Sequence, residues 1–300
     1  MEYKNLPDFK SLAALRAVFE LGGVAEAGRK LNIGQPAITK RLRVLEECYD
    51  VNLVHREGRK LELTPAGKKV YQFSRLILDH QALLVEDLES LRIGQNRLRL
   101  LVTFAVGEHL LPELLLGFAD AFPQYRIESR MGYTRRIQTR LATGLADLAL
   151  LEQASDHPEI LAQKWLDDEL VLVCGPKHPL FGSDLIPVTQ LTQLHFVLRE
   201  PKSSMRLILD KALEDIGIQQ LPTFMEVGST DTIIEMLDRG NYVSFLPRFA
   251  VQEDLLNESL FHIKIQGLRI KRTLWIARTR SNINNPVAEA FIEFLRMKES

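Results

Sequence analysis

The sequence predicts a mostly helical N-terminal domain over residues 1–64, a long helix with a short hinge over 65–94, and an α/β domain over 95–300. Three observations predict this order. A polar, basic helical segment follows two apolar-faced ones, a later stretch carries a seven-residue apolar repeat, and short strands then alternate with helices. A chain of 300 residues is also longer than one typical domain.

The N-terminal helices follow the order of a helix-turn-helix. Apolar spacing predicts a first helix that ends at Gly22 and Gly23, and a second that ends in the turn 32–34. Pro36 suits the first turn of a third helix. Its apolar stripe consists of Ala37, Ile38, Leu42 and Leu45. Its opposite face has no acid and consists of Gln35, Thr39, Lys40, Arg41 and Arg43. A short helix with this division fits a DNA major groove.

Two short strands, 53–54 and 61–63, flank a basic turn and predict a wing, which makes the domain a winged helix-turn-helix. Residues 29–60 hold eight Lys or Arg and four Asp or Glu, a net charge of +4, whereas the whole chain has −1. A small helical bundle with a basic surface is the alternative interpretation. The joint occurrence of turn, proline, polar face and wing favours DNA binding.

Double-stranded DNA is therefore the predicted partner, and the third helix supplies the predicted base contacts. Gln35 can pair with an adenine edge, and Pro36 and Thr39 can meet a thymine methyl group. The other predicted DNA-binding residues are Lys40, Arg41, Arg43, Arg56 and Arg59, of which Lys40, Arg43 and Arg56 are placed at phosphates.

The segment after Thr64-Pro65 predicts one long helix whose apolar residues recur every seven positions. The repeat consists of Val70, Ile77, Leu84 and Leu91. A long helix with a continuous apolar seam needs a partner. That partner is either the chain's own C-terminal domain or the same helix of a second subunit. The second alternative predicts a symmetric homodimer that matches a dyad operator.

Beyond residue 95, the pattern changes to alternating strands and helices, which predicts parallel βαβ units. The predicted strands are 98–104, 126–131, 147–151, 169–174 and 274–277. The predicted helices are 110–122, 135–143, 205–216, 230–239, 249–255 and 286–297.

Other functional classes find little support in the sequence. No apolar stretch is long enough for a membrane span, and no signal peptide is evident, so we expect a cytoplasmic protein. Cys48 and Cys174 lie in different predicted domains, metal-ligand spacing is absent, and no cofactor or metal is predicted. The seven histidines are scattered and no catalytic motif is present, so an enzyme is unlikely on this pattern. A binding protein with a vestigial helix-turn-helix is a second alternative.

With these residues described, the chain resembles the LysR-type transcriptional regulators over nearly its full length. The N-terminal resemblance comes from Ala27, Leu31, Gln35-Pro36-Ala37, Leu45-Glu46-Glu47 and the run 63–67. It implies transcription regulation through DNA binding. Gly34 stands where the family usually has Ser or Thr, so one phosphate contact of the family is absent here.

The C-terminal half resembles the effector-binding domain of the same family. Its landmarks are Leu110-Leu111-Pro112, Gly144 with Asp147, and Leu246-Pro247. The resemblance implies two Rossmann-like subdomains arranged as in periplasmic binding proteins, subdomain I at 97–168 and 268–300 and subdomain II at 169–267. It also implies a homotetramer, as a dimer of dimers. Trp165, the run 168–173 and Arg199-Glu200-Pro201 resemble the subgroup that regulates carbon fixation and sulfur assimilation.

A small-molecule effector is the second predicted partner. Open α/β sheets bind ligands beyond the carboxyl ends of their strands, where helix N-termini favour anions. The segments 103–107, 132–136 and 201–206 should converge there. The predicted polar contacts are Thr103, Thr134, Ser203, Ser204 and Arg206, although each Ser or Thr taken singly is more simply a helix cap. Phe104 is the predicted apolar wall. Phe104 and Ala105 replace two threonines of the subgroup, which predicts either an effector that is larger or less polar than sulfate-like ions, or an occluded pocket.

Overall fold

The computed structural model of the protein describes residues 6–57, 60–93, 96–280 and 285–298. The chain packs as two units, Met1–Ile93 and Gly94–Ser300. Among the described residues, no helix combines the length and the apolar character needed to span a membrane.

The first unit contains three short helices, a two-stranded hairpin and a long helix. Its elements are α1 (Phe9–Glu20), α2 (Val24–Leu31), α3 (Gln35–Tyr49), β1 (Val54–Glu57), β2 (Lys60–Leu63) and α4 (Pro65–Ile93). Asp8 starts α1 by accepting the N–H of Ser11 at 2.8 Å. The strands β1 and β2 pair antiparallel as a wing. The predicted winged helix-turn-helix is confirmed.

The turn between α2 and α3 requires one left-handed residue and one position without a side chain. Asn32 closes α2 in the left-handed conformation, with φ 52°. A Cβ on Gly28 would lie 2.7 Å from the carbonyl oxygen of Ile33, so the close approach of turn and helix explains this glycine.

The long helix α4 divides its apolar seam between two environments. Its first turn is capped by Thr64, whose hydroxyl accepts the N–H of Gly67 at 2.9 Å. Val70 and Ile77 pack against the core of the helix-turn-helix, whereas the side chain of Leu84 is 52% exposed. The seam predicted for dimerisation is therefore partly covered by the chain's own first unit.

The second unit is a mixed α/β structure. Its helices are α5 (Phe104–His109), α6 (Leu111–Ala121), α7 (Thr134–Ala142), α8 (Ser204–Glu214), α9 (Thr230–Arg239), α10 (Gln252–Leu256) and α11 (Pro286–Lys298). Its strands are β3 (Arg97–Val102), β4 (Arg126–Met131), β5 (Leu148–Leu151), β6 (Ile160–Cys174), β7 (Leu185–Ile186), β8 (Phe196–Arg199), β9 (Thr223–Val227), β10 (Val243–Pro247), β11 (Phe261–Ile265) and β12 (Ile270–Thr279).

The strands run in the order β4-β3-β5-β12-β6-β10-β8-β9, with β11 beside β6 and β7 beside β11. At one end β3 is parallel to β4 and β5, and at the other β8 is parallel to β9 and β10. The long strands β6 and β12 pair antiparallel in the middle and connect the two ends. The α/β architecture predicted for this half is confirmed.

The buried apolar residues of this unit gather in separate clusters. One cluster centres on Leu100, Phe118 and Phe291, and another on Phe196 and Phe245. Each cluster lies against one parallel part of the sheet. The subdomain limits 97–168 with 268–300, and 169–267, agree with this division and stay predictions.

Several predicted elements differ from the observed ones. The strand predicted at 98–104 ends at Val102, and Phe104 begins the short helix α5, which the sequence analysis does not predict. The strand predicted at 169–174 is the buried end of the 15-residue β6. The sequence analysis does not predict its first half because Gln163-Lys164 and Asp167-Asp168 interrupt it and leave no long apolar run. In place of the helix predicted at 249–255, a short 3-10 helix precedes α10.

Candidate functional site

The recognition helix α3 is fixed by its apolar stripe and presents its polar face outward. Ile38, Leu42 and Leu45 are buried in the core of the first unit. The predicted base-contacting residues Gln35, Pro36 and Thr39 are all exposed. The face predicted to enter the major groove is therefore free of contacts that would bury it within this unit.

Hydrogen bonds within this face show which side-chain groups are already engaged and which can contact DNA. The Thr39 hydroxyl donates to the carbonyl oxygen of Gln35 at 3.1 Å, which leaves its methyl group as the outward-facing part. Arg43 pairs with Glu47 at 3.0 Å, and both side chains are exposed, so a phosphate can compete with this pair. Arg41 lies 3.8 Å from Asp8 and is half-buried.

The wing carries the remaining predicted DNA contacts. Arg56 lies on β1 opposite Leu61 of β2. Its side chain and the whole of Arg59 lie outside the described residues. Their predicted phosphate contacts therefore stay predictions.

The second candidate site lies where β3 and β8 end. Thr103 follows β3 and is buried, and its hydroxyl has no hydrogen-bond partner among the described residues. Thr134 begins α7, and its hydroxyl lies 2.5 Å from that of Ser204 at the start of α8. Ser203 caps α8 by accepting the N–H of Arg206 at 3.1 Å. The structure thus joins Thr134 to Ser204, whereas Ser203 has the ordinary capping role.

Arg206 is held by other groups of the protein. Its guanidinium donates to Asp210 at 2.8 Å, to the carbonyl oxygen of Arg199 at 3.0 Å and to Glu226 at 3.3 Å. Its predicted contact with an anionic effector would require it to leave these partners.

A different arginine, Arg199, occupies the centre of the region. It is buried and donates to both carboxylate oxygens of Glu200, at 2.9 and 3.2 Å, and to the Thr230 hydroxyl at 3.2 Å. Its guanidinium lies 5.8 Å from the ring centroid of Phe104, which itself meets Tyr133 edge to face. Phe104 therefore lies between a guanidinium and a second aromatic ring, and its role as the apolar wall of an effector pocket stays a prediction.

Charge in this region is balanced internally. Burial acts to raise the pKa of Glu200, but the hydrogen bonds and charge of Arg199 outweigh it and lower that pKa. The hydrogen bond to Glu200 is the main cause that raises the pKa of Tyr133, with a smaller contribution from burial. The pairing with Arg199 therefore favours the ionised carboxylate of Glu200 although that side chain is largely buried.

The sequence offered one signal for Arg199, which is a cation directly after the apolar strand 196–198. It was read as part of a family signature and not as a site residue. The contacts with Phe104 and Thr230 come from distant parts of the chain, and no local spacing predicts them.

Comparison with known proteins places these features in a family. The model described as "Bacterial regulatory helix-turn-helix protein, lysR family" matches residues 9–68, and that described as "LysR substrate binding domain" matches residues 93–299. A probable RuBisCO transcriptional regulator of Cyanidium caldarium is 30% identical over 288 residues, which cover 93% of this chain and 90% of that protein.

Solved structures show the same architecture. The crystal structure of full-length CbnR complexed with its target DNA gives a TM-score of 0.73 at 20% identity, with 97% of this chain and 99% of CbnR covered. The regulatory domain of CcmR from Synechocystis PCC6803, in complex with 2-PG, gives a TM-score of 0.60 at 24% identity. It covers 66% of this chain and 95% of its own length.

Proposed function

The chain belongs to the LysR family, as a DNA-binding transcriptional regulator with an effector-binding domain, and from this premise we propose that its effector is a small anion. The relative named for RuBisCO agrees with the predicted carbon-fixation subgroup. The proposed site lies between Thr134, Ser204 and Arg199.

One observation carries the anion proposal: the first turns of α7 and α8 are in contact, and a buried guanidinium in the same region bonds the start of α9. The hydroxyls of Thr134 and Ser204 bring α7 and α8 together, and Arg199 reaches Thr230 at the start of α9. Helix N-termini offer free N–H groups and a positive dipole end, and a guanidinium pairs with carboxylate or phosphate. The complex of the CcmR regulatory domain with 2-PG supports a small ligand for this domain type.

Glu200 pairs with Arg199 in this structure, so an anion that binds the guanidinium has to displace this carboxylate. Such a ligand favours whichever arrangement of the two subdomains lets it reach the guanidinium. If the ligand binds one arrangement of the subdomains more tightly than another, its binding can change the affinity of the protein for DNA. Phe104 would then contact the ligand's apolar part.

The proposal extends to assembly, location and mode of action. We propose a dimer that reads a dyad operator, two of which form a tetramer through their effector domains, as the family resemblance implies. We also propose a cytoplasmic protein that acts on DNA by binding alone, without catalysis.

The test is a binding measurement on the full chain. Thermal-shift screening of small carboxylates, phosphate esters and inorganic phosphate identifies stabilising anions. Fluorescence anisotropy then measures binding to the promoter region of its own gene with and without such an anion. We expect a changed affinity for DNA in the wild type and no change in Arg199→Met. Stabilisation by neutral or cationic compounds only would contradict the anion proposal.

A further inference from the structure

Three metal-binding side chains come together where helix α5 meets helix α9. Glu108 and His109 end α5, and Asp231 lies in the first turn of α9. One ligand atom from each residue lies within 4.8 Å of the others. The two helices follow β3 and β9, which belong to the two different parallel parts of the sheet, so the cluster joins these parts of the domain.

The distance between His109 and Asp231 matches the spacing of two ligands on one metal ion and is long for a hydrogen bond. Nε2 of His109 and Oδ1 of Asp231 are 3.4 Å apart. A good N–H···O hydrogen bond is about 2.9 Å long. Two ligands bound tetrahedrally to one metal ion, at about 2.1 Å each, lie roughly 3.4 Å apart.

The imidazole of His109 is available to a metal ion. Its Nε2 is inaccessible to solvent and has no hydrogen-bond partner among the described residues. Leaving a buried polar atom unpaired is costly, and a metal ion would remove that cost. The side chain as a whole is 14% exposed, and its ring lies 6.5 Å from that of Phe249.

The two carboxylates are placed differently. Glu108 accepts the backbone N–H of Thr230 at 3.3 Å, which orients it toward the start of α9. A hydrogen bond of this kind fixes a metal ligand in position. Asp231 is 65% exposed, so an ion could enter from its side and keep water in the remaining coordination positions.

We propose that Glu108, His109 and Asp231 bind a divalent transition-metal ion, with Zn²⁺ as the representative, and that the ion holds α5 against α9. One imidazole nitrogen with two carboxylate oxygens suits Zn²⁺ and its neighbours better than Mg²⁺ or Ca²⁺, which prefer oxygen ligands alone. The Arg199 guanidinium, bonded to Thr230, is the nearby cation and reduces the negative charge that the ion meets. The sequence did not predict this site because Asp231 lies far along the chain from the other two ligands.

The site shares no residue with the proposed anion site of Thr134, Ser204 and Arg199, although Thr230 bonds to members of both, and its test uses the metal alone. Full-length protein, freed of metal with a chelator, is titrated with ZnCl₂ by calorimetry, and its thermal unfolding is followed in parallel. We expect one Zn²⁺ per chain and a higher Tm, with MgCl₂ having no effect. Co²⁺ should give a visible d–d absorption band whose intensity reports a low coordination number.

Variants locate the ion. Asp231→Asn, at an exposed position, should keep the fold and weaken Zn²⁺ binding by roughly tenfold or more. His109→Gln should remove the stoichiometric binding and the Co²⁺ band. His195→Ala, which removes an exposed histidine elsewhere, is the matched control and should bind as the wild type does. Unchanged Zn²⁺ affinity in folded Asp231→Asn and His109→Gln, or weakened binding in His195→Ala alone, would overturn the proposal. Anion binding by metal-free protein is measured separately and tests the proposed function.

Discussion

The hydroxyls of Thr134 and Ser204 lie 2.5 Å apart although the two residues are 70 positions apart in sequence. Each stands in the first turn of a helix, α7 and α8, and the pair connects the two parallel parts of the effector domain. This hydrogen bond therefore links the two parts of the domain directly.

Removing that hydrogen bond should weaken the contact between α7 and α8 and lower the stability of the domain. Thr134→Val keeps the shape of the side chain and leaves the partly buried Ser204 hydroxyl without its partner. We expect a loss of about 0.5–1.5 kcal/mol in the free energy of unfolding. Chemical denaturation measures it.

Thr139→Val is the matched control on the same helix. Thr139 is exposed, and its hydroxyl donates to the carbonyl oxygen of Arg135, one turn earlier on the same helix. Its replacement should change stability by less than about 0.5 kcal/mol. Equal losses in the two variants would mean that the contact between helices contributes nothing.

Arg199 and Arg206 should differ in what their replacement changes. Arg199→Met removes the buried cation, so we expect anionic ligands to bind at least about tenfold more weakly. Arg206→Ala breaks bonds to Asp210 and Glu226, so we expect a lower Tm with ligand affinity retained. Calorimetry with a stabilising anion, alongside thermal unfolding, separates the two effects. Loss of affinity in Arg206→Ala alone would restore the sequence-based assignment.

The difference between these arginines shows which features of the two sites can be predicted from the sequence. The recognition helix was predictable because its signals are local: Pro36 at the start, and Ile38 and Leu42 at helical spacing. The pairing of Arg206 with Asp210 could also be predicted from the sequence, since Asp210 lies one helical turn away. The role of Arg199 was not, because Phe104 and Thr230 meet it only through the tertiary fold.

Two apolar seam residues of the long helix α4 lie in different environments, so their replacement should have different effects. Leu84 is half exposed in the single chain, so Leu84→Asp should leave the helix-turn-helix folded and weaken the dimer. Ile77 packs on the core of the first unit, so Ile77→Asp should lower the stability of that unit itself. Sedimentation and circular dichroism of both variants test the distinction. A fully dimeric Leu84→Asp protein would place the subunit contact elsewhere.

Thr39 provides the sharpest test of DNA recognition. Its hydroxyl bonds to the carbonyl oxygen of Gln35, so the methyl group is the part that can meet a thymine. Thr39→Val keeps a methyl group there and should retain operator preference, whereas Thr39→Ser keeps the hydroxyl and should lose part of it. Anisotropy on the promoter fragment and on random DNA measures that preference at one salt concentration.

Gln35→Ala and Lys40→Ala complete the comparison. Gln35→Ala should cost about 1–3 kcal/mol on the specific site and little on random DNA, because an amide at a base edge carries sequence information. Lys40→Ala should weaken binding to both DNAs and reduce the salt dependence, because a phosphate contact does not read sequence. If Thr39→Ser and Gln35→Ala both kept full operator preference, α3 would not be the helix that reads the bases.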